Sequence, residues 1–190
     1  RIFTWNEIGH FRPQQNLLMH SVIYRTDILR NSQLQLPKHT FYVDNLFVFQ
    51  PLPYVETLYY LDVDLYRYYI GREGQSVQEE IMIKRIDQQL LVTTMMIDCM
   101  KKSYQSNPKR YGYMVKYLTM ILVMSSILLI RMDTNESLQK KEELWSYLKQ
   151  SRPWLYKSVT RTTLGFLIQL NRPLERKMLS KVYDISQKIF

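Results

Sequence analysis

The hydrophobic pattern of this chain changes period near residue 76. Before that point the apolar residues come in short, irregular groups. MHSVIY (19–24) alternates loosely, which predicts a short strand. TDILRN (26–31) opens on Thr26, a favoured N-cap residue, and predicts one or two helical turns. LPKHT reads as a turn, and VDNLFVF as the start of another short helix that the prolines of QPLPY (50–54) stop. ETLYYLDVDLYRYYI (56–70) is rich in β-formers. From Leu61 to Leu65 it alternates apolar with acidic residues, as a half-buried strand does.

From Ser76 onward the apolar spacing is helical. Ser76-Val-Gln-Glu79 has the form of a capping box, in which Ser accepts from the backbone and Glu reaches back. It predicts a helix to about Lys102, with Asn107-Pro108 closing the segment. A second helix is expected over 109–131, and a box-like cap at Asp133-Thr-Asn-Glu136 opens a third to about Lys149. Pro153 and Pro173 suit first-turn positions and predict helices over 153–169 and 173–189. The run YLTMILVMSSILLI (117–130) falls short of the ~20 apolar residues of a membrane span. Lys116 and Arg131 flank it, so it reads as the central helix of a bundle, with a helix lying on a membrane surface as the alternative. The expected fold is α+β and predominantly α: a mixed segment over 1–75, then a bundle of about five helices over 76–190. No internal repeat, low-complexity tract or flexible linker interrupts it.

Composition narrows this further. At 190 residues, 46% hydrophobic and 23% charged, with five Gly and seven Pro, the chain is ordinary for a folded protein and not for a disordered one. Fifteen tyrosines suit half-wet surfaces such as sugar-binding clefts and protein or membrane interfaces. The single cysteine, Cys99, excludes an internal disulfide and fits a reducing, cytoplasmic setting. The chain opens on Arg1 with no signal-peptide pattern, as expected of a piece of something longer. The net charge of +9 arises entirely after residue 75: residues 1–75 carry seven basic and seven acidic side chains, and residues 76–190 carry 19 and 10. Such a basic half suits anionic lipid, nucleic acid, an acidic partner or simply a solvated helical surface.

Two constellations offer chemistry. Asp44 lies in HTFYVDN between aromatic and apolar residues. Such surroundings raise a carboxyl pKa and suit a general base, although an Asp there also suits a cap for the short helix. Arg67, Arg72, Gln75 and Ser76 gather near the mouth of the Ser76 helix. There, free N–H groups, the helix dipole and two arginines would hold a diphosphate or merely form an ordinary capped terminus. His20, His39 and Tyr42 are candidates to line an acceptor cleft beside Asp44, although hydrogen-bonded structural roles account for the two histidines more simply. Asp62-Val-Asp64 places two carboxylates on one strand face, but two ligands are few for an oxygen-bound cation, and a solvated strand face accounts for them. His10, His20 and His39 lack metal-ligand spacing. The aromatic half has no net positive charge, so no nucleic-acid partner is expected.

MHSVIYRTDIL, LPKHTFYVDN, QPLPYV, LYRYYIGREGQSV and IDQQL resemble the second half of bacterial family 2 glycosyltransferases, which are inverting, nucleotide-sugar-dependent enzymes of the GT-A fold. The resemblance spans about residues 17–100. It implies that Asp44 is the catalytic base, with Val43 standing where that family commonly has Glu. It implies too that Arg67, Arg72, Gln75 and Ser76 lie near the donor diphosphate. The family's nucleotide-binding half, with a DxD site for Mg or Mn, would precede residue 1. Asp62 and Asp64 fall too late in the family's order to be that motif. The implied partners are a nucleotide-sugar and an envelope, capsular or lipid-linked acceptor in the full-length enzyme, with peripheral contact at the inner face of the membrane. The isolated chain is expected to be inactive. The competing expectation is a non-catalytic basic helical module that docks on a membrane or a protein.

Overall fold

The computed structural model describes residues 1–9, 11, 15–67, 69, 78–170 and 172–189, with side chains through Asp184. Among them, nine α-helices accompany one two-stranded sheet, an α+β fold that is predominantly α. β1 (Ile2–Thr4) pairs antiparallel with β2 (Thr57–Tyr59), Ile2 opposite Tyr59 and Thr4 opposite Thr57. The strand expected over 56–70 is therefore three residues long. β1 offers only three residues of backbone to pair with, and every described residue from Tyr60 to Arg67 is exposed, so the alternation there has no core to face. The strand expected over 19–24 is likewise replaced at Met19–Ser21 by a single 3-10 turn. The Ser21 hydroxyl accepts from the Leu18 N–H at 3.1 Å and donates to the Leu18 carbonyl at 2.9 Å, and this local bonding outcompetes a ladder.

α1 (Thr26–Asn31) follows, capped by Arg25 rather than by Thr26. α2 (Val43–Phe49) starts after Tyr42, whose φ of 67° turns the chain left-handed into the helix. Pro51 and Pro53 then end it in a 3-10 turn over Leu52–Tyr54.

The cap expected at Ser76 lies outside the described residues. Its partner Glu79 instead pairs with Arg131, far along the chain. The helix expected to run to Lys102 is two helices, α3 (Glu79–Lys84) and α4 (Ile86–Cys99). They part at Arg85 (φ −112°, ψ 19°), whose guanidinium stacks 3.4 Å over the Phe41 ring. α5 (Pro108–Met132) matches its expected span. Asn107 caps it by accepting the Arg110 N–H at 3.1 Å, and Pro108 fills the first turn. Asp133, at φ 46°, closes α5. That residue is thus spent on a C-cap, so the reciprocal box of α6 (Asn135–Ser151) forms one position later than expected, between Thr134 and Ser137. The single helix expected over 153–169 is α7 (Pro153–Thr160) and α8 (Thr163–Leu167), with the corner at Arg161-Thr162. There the Thr162 hydroxyl donates to the Val159 carbonyl and accepts the Gly165 N–H, which starts a new helix instead of continuing the old one. α9 (Pro173–Ile189) falls where Pro173 predicts it.

α5 is the axis of the molecule. It is the one described helix long and apolar enough to cross a membrane, yet 72% of its apolar window is buried inside the protein. α4, α6, α7, α8 and α9 all pack on it. Leu46, Phe49 and Leu52 from the first segment share a single core with Met96, Leu118, Leu122 and Leu155 from the helical one. Trp5, 1% exposed, belongs to the same core, and its indole N–H donates to the Val55 carbonyl at 3.0 Å.

Candidate functional site

Asp44 sits in the first turn of α2, one residue past its first position, so it does not cap the helix: the N-cap is Tyr42, by backbone geometry alone. A carboxylate here faces free backbone N–H groups and the positive end of the helix. Burial nevertheless dominates and pushes the Asp44 carboxyl above its ordinary value. The N–H groups of Asp44 and Asn45, and then His20, pull the other way. The side chain is half-buried, so it keeps access to solvent. A carboxyl held in this state exchanges protons closer to neutrality than an exposed Asp does.

His20 reaches Asp44 because the 3-10 turn Met19–Ser21 packs against α2. On its other side His20 meets the Tyr66 ring, 5.5 Å between centroids, and lines a cleft of about 1040 Å³. The walls of that cleft include Trp5, Phe11, Tyr59, Tyr60 and Tyr66, with Asp62 and Asp64 among them. Flat rings with interspersed carboxylates are what a hydroxyl-rich ligand needs: apolar faces to stack on and acceptors for its O–H groups. His20 thus lies between the half-buried carboxyl and the open cleft, which Asp44 itself does not line.

Tyr42 and Tyr117 complete the surroundings of Asp44. Burial raises the pKa of both hydroxyls, and the nearby Asp44 charge adds to the effect in each. Tyr117 donates to the Asn45 amide oxygen at 3.0 Å, and the Asn45 amide N–H donates to the Tyr42 carbonyl at 3.1 Å, which fixes the first turn of α2 against α5. The loop before α2 is held from the other side. The Phe41 N–H donates to Gln88 Oε1 at 2.7 Å, and Arg85 covers the Phe41 ring.

The other expected site residues are placed differently. His39 is exposed with a φ of 52° and points to a turn role in the 38–42 loop. The Arg67 side chain is 90% exposed, and its ion-pair partner is Asp64 at 4.0 Å. Among the described residues nothing joins it to Asp44. Arg72, Gln75 and Ser76 lie outside the described residues. Asp62 accepts from the Tyr60 hydroxyl at 3.3 Å, and no group of three or more His, Cys, Asp or Glu side chains suited to a metal ion occurs among the described residues.

Sequence reasoning missed Trp5 and Phe11 as cleft walls and Tyr117 as a neighbour of Asp44. The first two arrive through the β1–β2 pairing and the shared core, which no local pattern announces. Tyr113 and Tyr117 were a usable signal: two tyrosines spaced i, i+4 at the start of an otherwise aliphatic helix mark a face with polar partners. Tyr113 indeed accepts the Leu17 N–H at 2.8 Å. Comparison with known proteins adds no relative: no family model, no curated protein and no solved structure matches the chain.

Proposed function

We propose that this chain is the acceptor-side portion of an inverting glycosyltransferase, with Asp44 as general base. The single observation that carries the reading is the half-buried carboxyl with a raised pKa, linked through His20 to an aromatic cleft. The sequence resemblance to family 2 glycosyltransferases supports the same role for Asp44. In this reading an acceptor sugar stacks on the cleft tyrosines and extends one hydroxyl past His20, at the cleft wall, to reach Asp44 behind it. The carboxylate takes the hydroxyl proton as the oxygen bonds to the anomeric carbon of the donor. The bond from that carbon to the diphosphate breaks, and the electron pair leaves with the diphosphate. The resemblance implies that Arg67, Arg72, Gln75 and Ser76 would meet the charge that builds there. His20, beside the carboxyl, favours its ionised form. The nucleoside pocket belongs to a part of the enzyme other than this chain, and the donor is a nucleotide-sugar bound there.

Sugar transfer by the full-length enzyme carrying Asp44→Asn tests the assignment. Loss of a positioned general base costs ~10²- to 10⁴-fold in turnover. The variant is isosteric, so acceptor binding should remain near that of the wild type. Undiminished turnover removes Asp44 from the mechanism.

A further inference from the structure

The outer face of α9 has a pattern independent of the cleft. Leu174, Met178 and Val182 fall at i, i+4 and i+8 and are 82%, 51% and 57% exposed. Lys177 and Lys181 share that stripe and are exposed. Other faces anchor the helix: Tyr183 is buried and Leu179 packs on the core, while Ser180 and Asp184, the latter bordering the lysines, both accept from the Arg131 guanidinium, at 3.0 and 2.6 Å. The helix is therefore held against the bundle through residues 179–184, with an apolar stripe about 12 Å long facing outward.

Charge decides what covers it. Residues 153–190 hold seven Lys or Arg against two acidic residues, a net +5. Both acidic side chains are engaged with the protein: Glu175 accepts the Arg172 N–H, and Asp184 pairs with Arg131. Lys177 and Lys181 have no carboxylate partner among the described residues. A two-fold contact between two copies of this stripe would set lysine against lysine. An apolar ridge bordered by unpaired lysines matches instead an anionic lipid surface, with the side chains of Leu174, Met178 and Val182 among the acyl chains and the ammonium groups at the phosphates.

We infer that α9 docks the protein in the plane of an anionic membrane through Leu174, Lys177, Met178, Lys181 and Val182. The inference holds whether or not the cleft is a transferase site. The test is co-sedimentation of the whole chain with phosphatidylcholine vesicles, with and without phosphatidylglycerol. Binding is expected to the mixed vesicles only and to weaken as salt rises. Lys177→Gln with Lys181→Gln should reduce it by roughly tenfold or more, at ~1 kcal/mol per basic residue. Met178→Gln with Val182→Gln, both at exposed positions, should abolish it while leaving the helical circular dichroism unchanged. The inference is overturned if the wild-type chain stays in the supernatant with phosphatidylglycerol vesicles at low salt. It is equally overturned if the Met178/Val182 variant binds like the wild type, or if the face proves to mediate self-association without vesicle binding.

Discussion

At the scale of single residues, the chain concentrates its unusual chemistry on one carboxyl. Asp44 is held above its ordinary value of 3.8 by burial, against the pull of two backbone N–H groups and His20. This has a thermodynamic consequence with a definite sign. The native state binds the Asp44 proton more tightly than the unfolded chain does, so the contribution of this residue to stability is greatest below the ordinary carboxylate range. It is lost as pH rises through the native value. Thermal melts of the wild type and Asp44→Asn across that range should show the wild type losing ground to the variant as pH increases. Parallel curves would mean that burial does not perturb the carboxyl. The sequence made this residue legible because an Asp between Tyr-Val and Asn-Leu-Phe is an unusual neighbour set. It did not distinguish the cap from the base, since both place Asp near a helix start. The cap is excluded by Tyr42, whose left-handed backbone takes the capping position and leaves Asp44 inside the first turn.

At the scale of elements, local signals located helices well and their breaks poorly. Asn107-Pro108 and Pro173 mark starts through chemistry confined to one turn, so they could be read directly. The break at Arg85 accompanies stacking on Phe41, more than forty residues earlier, and has no local sign. The break before α8 had a sign that periodicity hid: Thr162 and Gly165 stand at the cap and third positions of a new helix. Gly165 is required there, because a Cβ on it would lie 2.2 Å from the Val159 carbonyl oxygen and 2.8 Å from Thr162 Oγ1. Gly165→Ala should therefore destabilise the protein by roughly 1–3 kcal/mol, the usual range for overpacking, as measured by urea denaturation. An unchanged midpoint would show that the α7–α8 corner opens without cost. The strand errors share one cause. Alternation predicts a strand only where a partner edge and a buried face exist, and residues 60–67 have neither.

At the scale of the whole molecule, charge divides the chain at residue 76 and packing does not. The balanced first segment and the basic second one meet in one core around α5, where Phe49 lies 5.9 Å from the ring of Tyr117 and Trp5 lies 5.8 Å from that of Tyr113. The overall class, helical with a little strand, could be read from period and composition. The cleft could not, because its walls come from β1, the Met19 turn and the stretch after β2, three places separated by tens of residues. A shared core implies shared cooperativity. Trp5→Ala removes a fully buried indole and its bond to Val55, and should cost ~3–5 kcal/mol in a single unfolding transition. Two separate transitions would show that the segments fold apart.

In the proposed mechanism the Asp44 carboxyl is poised for proton transfer beside His20. Carbon-13 titration of the Asp44 carboxyl, in the wild-type chain and in His20→Ala, reads this directly. The wild-type midpoint should lie above the ordinary aspartate value. It should rise further in His20→Ala, because a neighbour that favours the ionised form has been removed. A midpoint at or below the ordinary value, or one that ignores the loss of His20, would contradict it.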